Sequence, residues 1–301
     1  MKWIKKGRIY DGTEHGWMVT HGAVPFAQNL SGDIFRIYFS SRTKENKSQT
    51  TFLEININEP QKILDLSKDP ILKIGPLGSF DDSGAMCSCI VDFDNKKYLY
   101  YVGWNASGSV PFRNSTGLAI SHDGGKTFQK FSEGPIMDRI PTEGYSNTNS
   151  WVIVDEKKWK MWYLSGVKWD LYNEDFRPHY HIKYAESSDG INWERNGDVA
   201  IDFKNSDEWA ISRPCVIKEN GIYKMWYSYR GKQTYRIGYA ESIDGKNWKR
   251  LDEQMEFDVS DNGWDSDMVE YPCIFEHNNQ KYMLYCGNDY GKTGFGYAIL
   301  K

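Results

Sequence analysis

The sequence predicts an all-β protein: a single-domain β-propeller with five blades that spans residues 1–301. Short alternating or apolar runs are separated by turn residues at intervals of about 8–12, and no long segment has a helical period. Related strand motifs recur five times along the chain, which is the pattern of a repeat fold. The N-terminal segment also repeats a strand motif that the last repeat lacks.

Each repeat contains four strands, named A to D here in chain order. Strand C runs into a Ser-x-Asp-Gly turn and then an aromatic residue that begins strand D, most clearly in 117–132, 182–197 and 237–252. Strands such as KWKMWYLSG (158–166) supply B, and motifs such as RPCVI (213–217) supply A. A repeated unit of about 40–60 residues predicts one four-stranded sheet per blade. The predicted blades are 24–75, 79–138, 143–204, 207–260 and 264–301.

The fifth repeat stops after strand C, at GFGYAIL (294–300). Its missing strand D is predicted at the other end of the chain, where Trp3 and its neighbours match the segments that begin at Asn192 and Asn247. Residues 2–10 should therefore complete blade five, remove an open sheet edge and close the ring.

The amino-acid composition limits the classes of ligand and partner that the protein is expected to bind. Aromatic residues make up 15% of the chain, and such side chains suit both packed sheets and sugar-binding sites. The net charge of −4 has mixed signs, and no 18-residue apolar stretch occurs, so neither a nucleic-acid partner nor a membrane partner is expected. The five cysteines match no zinc spacing or secreted disulfide framework, which favours reduced thiols in a cytoplasmic protein. No metal or other cofactor is predicted, and the oligomeric state stays open.

The propeller topology assigns each loop to a face. The D–A and B–C loops share one face, called the near face here, and the A–B and C–D turns share the far face. Asp123, Asp189 and Asp244 lie in C–D turns and are predicted to tie those turns by side-chain hydrogen bonds. A carboxylate also repeats ahead of strand A, with a capping role and a ligand-binding role both open: Asp81, Glu143, Asp207 and Asp265.

Side chains that do not repeat between blades are the candidate site, because packing does not require them. Four are predicted to be catalytic: Glu208, Asp82, Asp267 and His21. Eight are predicted to bind substrate: Arg42, Trp104, Arg113, Asn114, Arg213, Tyr229, Arg230 and Glu270. Glycosidic-bond cleavage needs an acid for the leaving oxygen and a second carboxylate, while aromatic and arginine side chains hold the sugar. Ion pairing across a narrow channel, with Arg213 neutralising Glu208 or Asp267, is the alternative.

The organisation resembles the five-bladed glycoside hydrolases of the arabinanase, xylosidase, invertase and levansucrase group. The Ser-x-Asp-Gly-x-Asn-Trp turns and the Arg-Pro strand at 211–217 carry this resemblance. More closely, the chain resembles propeller proteins found with bacterial surface-polysaccharide genes, through RIYFSSR (36–42), FDDSG (80–84), IKYAESSDG (182–190) and TGFGYAIL (293–300). This second resemblance implies polysaccharide biosynthesis as the setting.

The hydrolases place carboxylates at the channel in blades one, two and three. The resemblance maps the second onto Asp82 or Asp81 and the third onto Glu143, whereas blade one has His21 and no acid. We therefore predict a hydrolase acting on an anionic or nucleotide-activated sugar, with Glu208 as general acid or base and Asp82 as its carboxylate partner. Asp267 would be a stabiliser or alternate base, and His21 a proton or hydroxyl contact. A sugar-binding propeller without turnover and a protein-interaction platform are the rivals.

Overall fold

A computed structural model describes residues 1–301 and confirms the all-β class. Its twenty strands are short and alternate between buried and exposed positions. In chain order they are β1 (Trp3–Tyr10), β2 (Thr20–Ser31), β3 (Ile34–Arg42), β4 (Ser48–Asn56), β5 (Ile63–Leu66), β6 (Gly84–Phe93), β7 (Lys96–Ala106), β8 (Phe112–Ser121), β9 (Gln129–Lys130), β10 (Asn147–Asp155), β11 (Lys158–Tyr172), β12 (Asp175–Ser187), β13 (Val199–Ile201), β14 (Ala210–Glu219), β15 (Ile222–Arg230), β16 (Arg236–Ser242), β17 (Lys249–Arg250), β18 (Glu270–His277), β19 (Gln280–Cys286) and β20 (Phe295–Leu300).

Helical structure is confined to a 3₁₀ turn at Asp252–Gln254 and to the single turn α1 (Asn288–Gly291), in which Asp289 and Tyr290 have left-handed backbone angles. Neither helix is long and apolar enough to cross a membrane. All five cysteines are buried and have free thiols.

The strands form five consecutive groups of four, in which each strand pairs antiparallel with the next. Groups one to four are β2–β5, β6–β9, β10–β13 and β14–β17. Short parallel bridges join the first group to the second, between β4 and β6, and the third to the fourth, between β12 and β14. The fifth group has the order β18–β19–β20–β1, so the N-terminal strand occupies the strand D position beside β20.

The first strand of every group lies innermost. β2 contacts β6, β6 contacts β10, β10 contacts β14, β14 contacts β18, and β18 contacts β2. The aromatic core fills the space between the sheets, with Trp159, Trp162 and Trp226 among its largest fully buried side chains. Arg213 is also fully buried in the middle of the molecule, where it donates to the backbone carbonyls of Ser88 and Pro25. One side chain of group four thereby links groups one and two.

The aspartate turns tie themselves, as their sequences predict. In the turn after β12, the Asp189 carboxylate accepts hydrogen bonds from the Ile191 and Asn192 amides at 2.8 Å each, and from Ser187 at 2.9 Å. Asp123 and Asp244 make equivalent bonds. Each turn also accepts a bond at a glycine carbonyl from the preceding group: Tyr38 to Gly125 (3.2 Å), Tyr100 to Gly190 (2.7 Å) and Trp162 to Gly245 (2.7 Å). The turns therefore lock neighbouring sheets together on the far face.

Candidate functional site

A repeated set of three side chains ties the near-face loop ahead of strand A to its own sheet in groups two, three and five. In group three the buried Glu143 accepts from Tyr163 of β11 at 2.9 Å and from Arg195, two residues after the aromatic that opens strand D, at 3.1 Å. Groups two and five repeat this arrangement: Asp81 with Tyr101 (3.0 Å) and Lys130 (2.5 Å), and Asp265 with Tyr285 (3.0 Å) and Lys5 (2.7 Å). Because every member of the set has partners within its own group, these carboxylates hold the loops.

Glu208 has the cation partner of this set, whereas the corresponding tyrosine of group four, Tyr227, bonds Asp252 instead. Both of its oxygens bind Arg250, at 2.7 Å and 2.9 Å, and Oε2 also accepts from the Lys204 amide at 2.8 Å. The sequence alignment gave this slot to Asp207, but Asp207 is exposed and contacts only the exposed Lys232 at 3.0 Å. The loop of group four therefore differs from the others by one residue, and the predicted acid occupies the position of a loop anchor.

The other predicted carboxylates lie apart from Glu208. Asp82 accepts from the Gly78 amide at 2.9 Å and from the Ser83 hydroxyl at 2.8 Å, so it ties its own loop. Asp267 is exposed, and its backbone rather than its side chain makes the hydrogen bonds, including one that its amide donates to the side-chain oxygen of Asn288 at 2.8 Å. The structure therefore gives no contact that joins Asp82, Glu208 and Asp267 in one site.

Glu270 is the carboxylate with the most unusual surroundings. It is the first residue of β18 and is fully buried, and neither of its carboxylate oxygens has a hydrogen-bond partner. Burial raises its pKa well above the ordinary value, and the positive charge of Arg230 only partly opposes this. A buried carboxyl without a partner is held in its neutral form, which can donate a proton.

Tyrosines surround Glu270. Burial raises the pKa of the Tyr271, Tyr235 and Tyr180 phenols, and the Glu270 carboxylate contributes to each rise. The hydroxyls of Tyr180 and Tyr235 share a hydrogen bond, and Arg230 donates to the Tyr290 hydroxyl at 2.8 Å. We call these six residues the central cluster: Tyr180, Arg230, Tyr235, Glu270, Tyr271 and Tyr290.

The cluster draws on groups three, four and five, because Tyr180 lies in β12, Arg230 ends β15 and Tyr235 follows it in the loop. Tyr290 lies in α1 and, at 40% exposure, is the most accessible large ring of the central cluster. Arg230 also stacks over Trp209, with its guanidinium carbon 4.1 Å from the ring centre. The start of β18 and the loops after β15 and β19 therefore build one near-face site.

Positive charge borders this cluster. Burial, together with the nearby positive charges of Arg42 and Lys292, lowers the pKa of His21 to about 4, so the imidazole is neutral at pH 7. Arg42 donates to Asn46 at 2.9 Å and, like Lys292 and Arg230, forms no salt bridge. His21 itself contacts Thr20 at 2.8 Å. Three cations without carboxylate partners favour a negatively charged ligand.

The remaining predicted residues occupy different places. Tyr229 packs under the guanidinium of Arg250, 5.6 Å from its carbon, and so belongs with the loop anchors. The Trp104 indole lies against Gly84, where a Cβ atom would collide with it, which explains the glycine. Arg113 and Asn114 line a separate cavity of about 390 Å³ between groups two and three. Sequence reasoning named Glu270 and Arg230 but missed Tyr180, Tyr235 and Tyr271, because tyrosines occur throughout this sequence.

Comparison with known proteins gives both partial and full-length matches. A family model described as beta-1,4-mannooligosaccharide phosphorylase matches residues 130–262. Two Mycobacterium tuberculosis proteins, described as "Uncharacterized protein MT1551" and "Uncharacterized protein Rv1502", are each 42% identical over 302 residues, covering 100% of both chains. A Beta-1,2-mannobiose phosphorylase of Thermoanaerobacter sp. is 30% identical over 132 residues, which are 40% of this chain and 44% of that protein.

Solved structures share the fold over nearly the whole chain. One described as "Glycoside hydrolase" has a TM-score of 0.78 at 17% identity and covers 99% of this chain and 91% of its own. A thermostable family-43 glycoside hydrolase has a TM-score of 0.70 at 17% identity, with coverages of 96% and 90%. The alpha-L-arabinofuranosidase PaAbf62A from Podospora anserina has a TM-score of 0.67 at 12% identity, with coverages of 99% and 95%. At these identities the likeness is one of fold.

Proposed function

The chain belongs to the family of the Mycobacterium tuberculosis proteins MT1551 and Rv1502, and we propose that it cleaves a glycosidic bond by transferring a glycosyl group to inorganic phosphate. The partial match to a mannooligosaccharide phosphorylase model and the partial identity to a mannobiose phosphorylase support this reaction class. They also suggest β-linked mannosides as the first substrates to test.

The observation that carries the proposal is a neutral acid among unpaired cations. Glu270 keeps its proton because it is buried without a partner, and Arg42, Arg230 and Lys292 have no salt-bridge partners. Because Glu270 is fully buried, the substrate has to displace a neighbouring side chain to reach it. Tyr290 is the most exposed large ring of the central cluster, and we propose that it moves.

One acid and several cations suit phosphorolysis better than hydrolysis. A hydrolase needs a second carboxylate to activate water or to attack the anomeric carbon, whereas phosphate is already a charged nucleophile that arginine and lysine can bind. In the proposed step a phosphate oxygen bonds to the anomeric carbon, the glycosidic C–O bond breaks, and the leaving oxygen takes the Glu270 proton. Glu270 then regains a proton from solvent before the next turnover.

Hydrolysis of an anionic or nucleotide-activated sugar by a carboxylate pair, Glu208 and Asp82, remains the rival reaction. The bonds of Glu208 to Arg250 argue against a free acid at that position. A binding propeller without turnover is the second rival. The cytoplasmic location and the role in surface-polysaccharide biosynthesis stay predictions of the sequence.

We also propose that the five groups form one closed five-bladed propeller. The cyclic order of contacts, which returns from β18 to β2, supports a ring of five inner strands. The pairing of β1 with β20 supports closure of the last blade by the N-terminal strand. In this arrangement the central cluster lies at the near-face end of the ring.

The test is a product analysis with β-1,2- and β-1,4-mannobiose, each incubated with and without inorganic phosphate. We expect mannose 1-phosphate and free mannose in equal amounts, formed only when phosphate is present. Free mannose alone, formed at the same rate without phosphate, would establish hydrolysis instead. Binding of a mannobiose in calorimetry without any product would favour the binding propeller.

Variants separate the two candidate acids. Glu270→Gln keeps the shape of the side chain but cannot donate the proton, so turnover should fall by about 10²-fold or more. The matched control is Asp267→Asn, which changes an exposed carboxylate three residues earlier and should leave turnover unchanged. Glu208→Gln should lower thermal stability more than turnover. Wild-type turnover in Glu270→Gln would remove Glu270 from the mechanism.

A further inference from the structure

The cavity between groups two and three lies on the near face but outside the central cluster. Its volume of about 390 Å³ is within the range of about 300–1,000 Å³ typical of small-molecule sites. The loop after β7, the start of β8, the segment before β10 and strand β11 form its walls. None of the six central-cluster residues lines it.

The charge of this cavity is unbalanced. Arg113 is exposed, and its guanidinium group makes neither a hydrogen bond nor a salt bridge within the protein. Arg139 has only a 3.7 Å contact with Asp138, and that carboxylate is already engaged by the Ser115 hydroxyl at 3.0 Å and by the Arg139 amide at 2.8 Å. Two guanidinium groups thus line a cavity whose single carboxylate, that of Asp138, is already hydrogen-bonded.

Aromatic rings form another part of the lining. The half-buried Phe112 and Trp169 meet edge to face with ring centres 5.2 Å apart, and Phe80 and Tyr145 also line the cavity. Trp169 lies on the extension of β11 beyond the sheet, so its position depends on the long β11–β12 hairpin. A flat ring beside charged and amide groups offers one apolar face and several hydrogen-bond donors, as sugar recognition requires.

We propose that this cavity is a second carbohydrate site, which binds a sugar carrying a negative charge. Arg113 and Arg139 hold the carboxylate or phosphate group of the sugar, and Trp169 packs against the apolar face of its ring. Asn105, whose side chain has no partner within the protein, is placed to bond a hydroxyl. The site is separate from the proposed reaction centre, and its existence does not require that the protein be a phosphorylase.

The test measures binding directly by titration calorimetry, with digalacturonic acid, mannose 6-phosphate and neutral mannobiose as probes. We expect at least one anionic probe to bind, and its affinity to fall as ionic strength rises. Arg113→Gln combined with Arg139→Gln should lower the affinity for that probe by about tenfold or more, because two charge-assisted hydrogen bonds are lost. Which anionic probe binds distinguishes a carboxylated from a phosphorylated sugar.

Three controls make the result specific. Lys96→Gln removes a positive charge from the far-face turn of the same group and should leave the affinity unchanged. Trp169→Ala should lower the affinity for the anionic probe even though no charge is lost. Glu270→Gln should lower turnover by about 10²-fold or more while the anionic probe still binds, which separates this site from the proposed reaction. Absence of binding by both anionic probes, or binding that survives the double arginine substitution, would overturn the proposal.

Discussion

Deletion of residues 1–9 tests how far the last sheet depends on the N-terminal strand. The deletion removes Trp3 and Ile9, which are 4% and 6% exposed, and most of the ladder with β20. Burial of each such side chain contributes about 1.5–3 kcal/mol, so the two together contribute about 3–6 kcal/mol. The deletion also leaves Asp265 buried without Lys5, which adds about 3–5 kcal/mol.

The total of about 6–11 kcal/mol is comparable with the whole stability of a typical domain, which is about 5–15 kcal/mol. The truncated chain should therefore melt far below the wild type, or aggregate through the exposed edge of β20. Thermal unfolding followed by circular dichroism and size-exclusion chromatography measure the two effects.

A peptide of residues 1–12 added in trans should restore part of the lost stability, because it can occupy the vacant edge. Lys6→Ala is the matched control, since Lys6 is exposed on the same strand and its loss should leave the melting temperature unchanged. A truncated protein that remains monomeric with the wild-type melting temperature would refute this reasoning.

Two further predictions concern the far face and the central cluster. Asp189→Ala and Asp123→Ala should each lower the melting temperature, at about 0.5–1.5 kcal/mol for every net hydrogen bond lost, without altering turnover; loss of turnover at an unchanged melting temperature would contradict the assignment of these turns to structure. The folded wild type retains the Glu270 proton above pH 4.3, whereas the unfolded chain releases it near its ordinary pKa of about 4.3. The stability of the wild type should therefore fall as the pH rises from that value towards the raised pKa of the folded state. Glu270→Gln has no such loss, so its stability relative to the wild type should be greater at pH 8 than at pH 4. Melting temperatures of both proteins across this pH range provide the check, and parallel curves would show that Glu270 ionises normally.

The sequence alone was sufficient for the local architecture. Alternating apolar residues predicted the strands, and Ser-x-Asp-Gly predicted turns that tie themselves, because both depend on neighbours within a few positions. The match of Trp3 and Lys5 to the later strand D motifs predicted the pairing with β20. Lys5 indeed occupies the place that Lys130, Arg195 and Arg250 hold in groups two to four.

The candidate site could be predicted only in part. Glu208 was selected because its residue type does not repeat in alignment, but a one-residue difference in loop length makes it the partner of Arg250. Glu270 was named from the sequence as a candidate substrate-binding residue, but the sequence did not indicate that its carboxyl group is buried without a hydrogen-bond partner. A buried carboxyl group stays neutral when no cation or hydrogen-bond donor contacts it. Whether such a contact exists depends on all the side chains that pack around the group in the folded protein.

The sequence by itself therefore determined the strands, their turns and the completion of the last sheet, since these follow from periodicity and short-range hydrogen bonding. The tertiary structure decided which carboxylates are neutralised and which remain without a partner. Ion pairs and burial depend on side chains brought together from distant parts of the chain, such as Glu270 of β18 with Arg230 of β15 and Tyr180 of β12. The electrostatics of the site, and with it the proposed chemistry, is consequently a property of the assembled sheets.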